Sequence, residues 1–231
     1  MSRRERLPGK TADRVAAPRV PLTRDRILRV ATRLADKHGI ESLSMRKLAL
    51  ELGVEAMSLY NHIANKEDLL SGLVEIVVGE IDVPAIGGDW KAAMRQRAIS
   101  AHEVLLRHPW VTMLIVSRAN VGPVMLRYVD ATIGCLREAG FSYEMADHAW
   151  NAIDSHIYGF TLLELNFPLD PSEYADAAKN YLPQLPAGQY PYLRALSQMV
   201  IDGKHSGLHD FEFGLDLLLE GLERLRARSA P

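Results

Sequence analysis

The chain has 231 residues, 48% of them hydrophobic and 24% charged, with a net charge of −2. That is enough apolar content to pack one large or two small domains. The apolar runs are all too short to cross a bilayer, and the arginine-rich N-terminus lacks the apolar stretch of a signal peptide. The single cysteine, Cys135, excludes an intrachain disulfide and fits a reducing cytoplasm, as a buried, inert thiol in a helical pattern. Charge is divided unevenly: residues 1–67 hold 14 Lys and Arg against 8 Asp and Glu, and residues 68–231 hold 13 against 21. A basic head on an acidic body suits a polyanion that meets only the head.

In chain order, residues 1–21 carry Arg3, Arg4, Arg6, Lys10, Arg14 and Arg19 with three prolines and little apolar periodicity. They read as a flexible basic tail, either an arm along phosphates or a solubilising extension. Thr23 is a good N-cap for a first helix with a buried stripe of Ile27, Val30, Ala31, Leu34 and Ala35, stopped by Gly39. Ser44 caps a second helix with Leu48, Ala49 and Leu52 inside, and Gly53 permits the positive φ of a tight turn. A third helix is predicted over residues 55–62, packing through Met57 or Leu59 and Ile63. Asn65 caps a fourth, with Glu67 and Asp68 in its first turn, running to about Asp82.

Pro84, Gly87 and Gly88 mark a hinge. Beyond it, helices are predicted near 89–107, 109–118, 121–139, 143–166, 172–182, 189–202 and 208–228, with no alternating strand and no repeat. The fold class is all-α. The domains are a 1–21 tail, a 22–67 helix-turn-helix head and a 68–231 regulatory body. The Pro- and Tyr-rich stretch 167–192 is either a lid or a plain connector. In the last helix, Phe211, Leu215, Leu218, Leu222 and Leu225 form a heptad-like seam, and Gly214 and Gly221 permit close approach of another helix. That seam fits either an intramolecular core or, with the 143–166 helix, a four-helix dimer interface.

The segment 42–66 is a short helix pair whose second member offers Ser58, Tyr60, Asn61 and His62 where a soluble helix would carry Glu and Lys. Such a unit is built to enter a major groove. Arg46 has the reach to read a guanine edge, Ser44 and the helix start beside it can hold a phosphate, and Tyr60, His62 and Lys66 suit phosphate contacts.

The run LTRDRILRVATRLADKHGIESLSMRKLALELGVEAMSLYNHIANKEDLL (22–70) closely resembles the N-terminal domain of TetR-family transcriptional regulators. His62-Ile63 at the end of the reading helix is similar to the tetracycline-repressor branch. Trp90 to His108, REAGFS (137–142) and FEFGLDLLLEGLERL (211–225) look like the core domain of that branch. The resemblance implies a homodimer, joined through the helices near 143–166 and 208–228, that reads a palindromic double-stranded operator. A ligand cavity in each body controls the heads, most simply as a repressor released by a small-molecule effector. Arg46 falls at the family's base-reading arginine; Ser44, Ser58, Tyr60, His62 and Lys66 fall at phosphate-contact positions. Ala56 and Met57 replace a base-reading glutamine and an apolar contact, Asn61 a tryptophan and Met45 a threonine, which implies a different operator.

In the body, His156 and Glu164 match two positions of the branch's drug–magnesium site. Eight helical residues advance about 12 Å and turn about 80°, so the two can line one long ligand but not chelate one ion. Ile115 stands at the branch's metal-binding histidine, Arg97 at a drug-gripping asparagine, Ala101 at a phenylalanine and Arg118 at a threonine. An alkyl chain offers no lone pair, so no metal and no cofactor are expected. The expected ligand residues are Arg97, Trp110, Met113, Met125, Trp150, His156, Phe160 and Glu164, suited to a mostly apolar ligand, with Arg97 pointing to an anionic one. Taken singly, each of these residues fits core packing better than ligand binding. No phosphate loop, G-x-S-x-G or zinc-spaced Cys/His set supports an enzyme. The alternative is a helical small-molecule-binding protein that does not bind DNA.

Overall fold

The computed structural model describes residues 21–186, 188–207 and 210–229. The basic tail lies outside them except for Pro21, as does the start of the last predicted helix. Among the described residues there are eleven α-helices and no strand: α1 (Arg24–His38), α2 (Met45–Leu52), α3 (Ala56–Leu59), α4 (Lys66–Val78), α5 (Trp90–Arg107), α6 (Val111–Val116), α7 (Pro123–Glu138), α8 (Tyr143–Asn166), α9 (Tyr174–Tyr181), α10 (Pro191–Ile201) and α11 (Phe211–Ser229).

The head is set by its caps. Thr23 Oγ1 accepts the Arg26 N–H at 3.2 Å, Ser44 Oγ accepts that of Lys47 at 3.2 Å, and Asn65 Oδ1 accepts that of Asp68 at 2.9 Å. Each satisfies one of the N–H groups a helix start leaves open. Gly53 ends α2 at φ 66°, the left-handed conformation that only glycine adopts without strain. Ile27, Leu48, Leu59, Ile63 and Leu73 are fully buried together. Helix α3 is shorter than predicted. After Leu59 the chain tightens: the Tyr60 N–H bonds Met57 O at 3.2 Å and the His62 N–H bonds Leu59 O at 2.9 Å. Helix α4 ends at Val78 rather than near Asp82, and the Glu80 and Ile81 N–H groups turn back onto Val77 and Val78.

In the body, α5 packs on α7, α8 and α11, while α4 reaches from the head to pack on α6 and α7. Arg95 of α5 pairs with Asp216 (2.8 Å) and Glu212 (2.5 Å) of α11, and Lys91 with Glu220. Phe211, Leu215, Leu219 and Leu222 therefore face their own body, with Leu218 half-buried and Leu225 exposed. The exposed apolar stripe of α11 is offset from the predicted seam and runs through Phe213, Leu217 and Gly221. Gly214 is used internally, since a Cβ there would sit 2.5 Å from the His156 ring. Gly221 faces open space. The 167–192 stretch contains α9 and, with α10, forms a hairpin whose main contacts are with itself. Cys135 is buried, and burial pushes its thiol pKa up.

Candidate functional site

On the head, Ser44, Arg46, Met57, Tyr60, Asn61 and Lys66 are exposed, and Met45, Ala56, Ser58 and His62 are half-buried. The choice between Met57 and Leu59 is resolved by packing: Leu59 is fully buried and Met57 is 72% exposed. Arg46, Lys47 and Lys66 have no ion-pair partner among the described residues, so their charge is open to a polyanion.

The end of the reading segment is clamped from behind. Arg24 grips the Asp68 carboxylate with both arms, at 2.6 and 2.9 Å, and also donates to the His62 carbonyl at 3.1 Å. Asp68 in turn accepts the Ala64 N–H at 2.8 Å. The hydrogen bond from Arg24 holds the Asp68 carboxyl below its usual pKa. One arginine thus ties α1, the segment after α3, and α4 into a rigid unit, and positional rigidity is what base reading requires.

The body holds a cavity of about 310 Å³ between α6, α7 and α8. Met125 and Trp150 line it, with Tyr128, Asp154 and Tyr158. Asp154 is the polar centre. It accepts from Arg97 Nη2 at 2.6 Å, Trp150 Nε1 at 2.7 Å and the Tyr158 hydroxyl at 3.3 Å. Burial pushes both tyrosine pKa values up, so both phenols stay protonated, and Tyr158 donates to Asp154. Arg97 is fully buried, 4.7 Å from the Tyr128 ring centroid. Burial opposes its charge, but Tyr128 and Asp154 outweigh that and raise its pKa. Its charge is committed to Asp154, so Arg97 stands behind the cavity wall, and its Nε and Nη1 have no hydrogen-bond partner.

The other expected ligand residues are placed elsewhere. Trp110 donates to Asp36 of α1 at 2.7 Å, in the joint between head and body. Met113 is exposed. His156 Nε2 lies 2.9 Å from the Phe211 carbonyl and must donate to it. Its ring stacks on Phe211 (4.9 Å), with Phe160 edge-on to the same ring (5.4 Å). Glu164 pairs with His102 at 3.1 Å. His156, Phe160 and Glu164 thus join α8 to α5 and α11. Asp154 and Tyr158 were missed by sequence reasoning, although Trp150, Asp154 and Tyr158 recur every fourth residue on one helix and so share a face. No group of three His, Cys, Asp or Glu able to hold a metal occurs among the described residues.

Residues 27–73 match the bacterial regulatory proteins of the tetR family, and residues 83–226 match the tetracyclin repressor-like C-terminal domain. The chain belongs to the TetR family. It is 32% identical over 228 residues to the HTH-type transcriptional repressor DrrR1 of Streptomyces coeruleorubidus, covering 93% of this chain and 83% of that protein. It is 30% identical over 211 residues to the class D tetracycline repressor protein of Escherichia coli, covering 87% and 89%. Among solved structures, the Streptomyces coelicolor TetR-family protein ActR in complex with actinorhodin aligns with a TM-score of 0.75 at 30% identity, covering 90% of this chain and 99% of that one.

In this TetR-family chain α4 contacts residues that line the cavity. Glu67, at the start of α4, pairs with Arg118, which follows α6 and lines the cavity. Glu75, midway along α4, accepts the N–H groups of Val124 (2.8 Å) and Met125 (3.0 Å) at the start of α7. Nearer the hinge, His108 bridges Asp36 of α1 (2.7 Å) and Glu80 (3.3 Å). The loop between α6 and α7 and the start of α7 are thus tied to α4 by one ion pair and two hydrogen bonds.

Proposed function

We propose that this helix-turn-helix transcriptional regulator works as a homodimeric repressor that grips a palindromic operator and lets go when a small-molecule effector enters the cavity between α6, α7 and α8. The single observation that carries the reading is the arrangement of α4: one helix bears the clamped reading segment at one end and is tied to the cavity-lining loop through Glu67 and Glu75. Arg46 reads a base edge, while Ser44, Ser58, Tyr60, His62 and Lys66 hold phosphates, and Met45, Ala56, Met57 and Asn61 tune the sequence read. The unpaired positive charge of Arg46, Lys47 and Lys66 supports this assignment.

Two faces support the dimer. Gly159 on α8 and Gly221 on α11 have open space where a side chain would be, beside exposed Leu163, Phe213 and Leu217. An exposed apolar stripe with gaps for a neighbouring helix suits a four-helix contact between two copies. Two relatives solved in complex with small molecules, ActR with actinorhodin and a TetR of Acinetobacter baumannii with minocycline, support an aromatic effector, and the aromatic wall of Trp150, Tyr128 and Tyr158 suits one. Ile115 gives no donor for a metal, so the effector binds without one. A coupling of about 1–3 kcal/mol would change DNA affinity by roughly 5–150-fold.

The test is binding of the full-length protein to the DNA upstream of its own gene in the bacterial cytoplasmic salt range. A specific complex of two chains per site, weakening steeply with salt, is expected. Absence of any sequence-specific complex at low salt would sink the reading in favour of a ligand-binding protein without DNA binding.

A further inference from the structure

Arg118 has two allegiances. The residue lines the cavity, and its guanidinium reaches out to Glu67, a carboxylate 68% exposed to solvent. Its Nε is buried and without a hydrogen-bond partner. An exposed partner holds an arginine weakly, because water screens the pair. An anionic group inside the cavity would meet the same guanidinium with less water and could take a two-pronged, charge-assisted hydrogen bond, the geometry arginine favours.

The remaining charges of the cavity select the sign of the ligand. Arg97 and Asp154 neutralise each other at 2.6 Å. Asp154 also receives Trp150 and Tyr158, which leaves it little capacity for a cationic ligand. The remaining charge at the cavity is therefore that of Arg118, and among the described residues its ion-pair partner, Glu67, belongs to α4 rather than to the cavity lining. The walls, built from Met125, Tyr128, Trp150 and Tyr158, take a flat unsaturated body by stacking and sulfur contacts.

We propose that the cavity is specific for a planar aromatic ligand bearing a carboxylate or equivalent anionic oxygen group, that Arg118 binds this group, and that binding takes Arg118 away from Glu67 and so loosens the head. This rests on the reading of the cavity as the effector site and adds the ligand's charge, its receptor and the contact it breaks. By linkage, whatever removes Glu67 must strengthen ligand binding, because the ligand no longer competes for the guanidinium.

The experiment titrates the full-length protein by calorimetry with matched acids and primary amides: 2-naphthoate, 2-anthroate and anthraquinone-2-carboxylate against their carboxamides. At least one acid should bind about 10-fold tighter than its amide, the difference between a charged and a neutral hydrogen-bond partner. Glu67→Gln should tighten the acid about 2- to 5-fold, the worth of an exposed pair, and leave the amide unchanged. Arg118→Gln should erase the preference for the acid, and the preferred acid should weaken operator binding by wild type. Equal binding of acid and amide, or an acid affinity indifferent to Glu67→Gln, overturns the proposal while leaving the cavity as the effector site. Val116→Trp, at an exposed position on the cavity rim, tests the underlying reading separately. If that variant binds the acid undiminished, the cavity itself is the wrong site; if wild type binds none of the six probes, the aromatic-acid proposal is overturned.

Discussion

Glu75 caps a helix that is not its own: its carboxylate accepts the Val124 N–H at 2.8 Å, and a Cβ on Gly122 would collide with it. A carboxylate at a helix start meets both open N–H groups and the positive end of the helix dipole. Glu75→Ala should cost about 1.5–3 kcal/mol of unfolding free energy, read by urea denaturation, since it removes charge-assisted bonds from partly buried donors. Gly122→Ala should destabilise through the same contact. If Glu75→Ala proves neutral, the cap is not holding α7 to α4.

The clamp between Arg24 and Asp68 predicts an acid-side loss of stability. The folded Asp68 pKa lies below its ordinary value of 3.8, so the pair stabilises the fold fully above that pH and is lost as the pH falls through the lower folded value. Asp68→Asn should flatten the acid limb of the stability curve relative to wild type. Because Asp68 keeps 30% of its side-chain exposure, the loss at neutral pH should be about 1 kcal/mol. A thermal-melt series from pH 2 to 7, showing the same acid limb in both proteins, would refute this.

Leu59 and Met57 separate folding from reading. Leu59→Ala opens a cavity under α3 and should cost about 2–5 kcal/mol. Met57→Ala, at a residue 72% exposed, should leave stability within about 0.5 kcal/mol while altering operator affinity or preference. Denaturant melts and operator titrations on the two variants check the division.

Arg46 and Lys66 should differ in kind. Arg46→Ala should relax discrimination at one base pair by about 1–3 kcal/mol. Lys66→Ala should weaken all sites alike and reduce the slope of log affinity against log salt by about 1. The opposite pattern, measured on operator variants across a salt series, would exchange their roles.

Leu217→Lys places a charge on the exposed apolar stripe of α11 and should yield a folded monomer by light scattering, with weakened operator binding. A dimer of undiminished stability would move the interface elsewhere.

The head was legible in the sequence because its signals are local. Thr23, Ser44, Asn65 and Gly53 act on N–H groups and φ angles within three or four residues, and apolar spacing alone places Ile27, Leu48 and Ile63 inside. Helices α5 to α11 were legible for the same reason, with α8 running over 143–166 as predicted. Which face of an amphipathic helix meets which neighbour is not local. On α11, the ion pairs from Lys91 and Arg95 turn Leu215 and Leu222 inward and leave Phe213 and Leu217 outside. On α8, His156 is drawn to the Phe211 carbonyl and Asp154 to Arg97, 57 positions earlier in the chain. Spacing shows that Trp150, Asp154 and Tyr158 share a face; only packing decides that this face looks into a cavity. The same holds for Arg118 and Glu67. The sequence by itself determined a reading head with a helical body, through interactions that span a single turn. Tertiary structure alone decided where the body is hollow and which contacts tie that hollow to the head, because those contacts join side chains that are far apart in sequence.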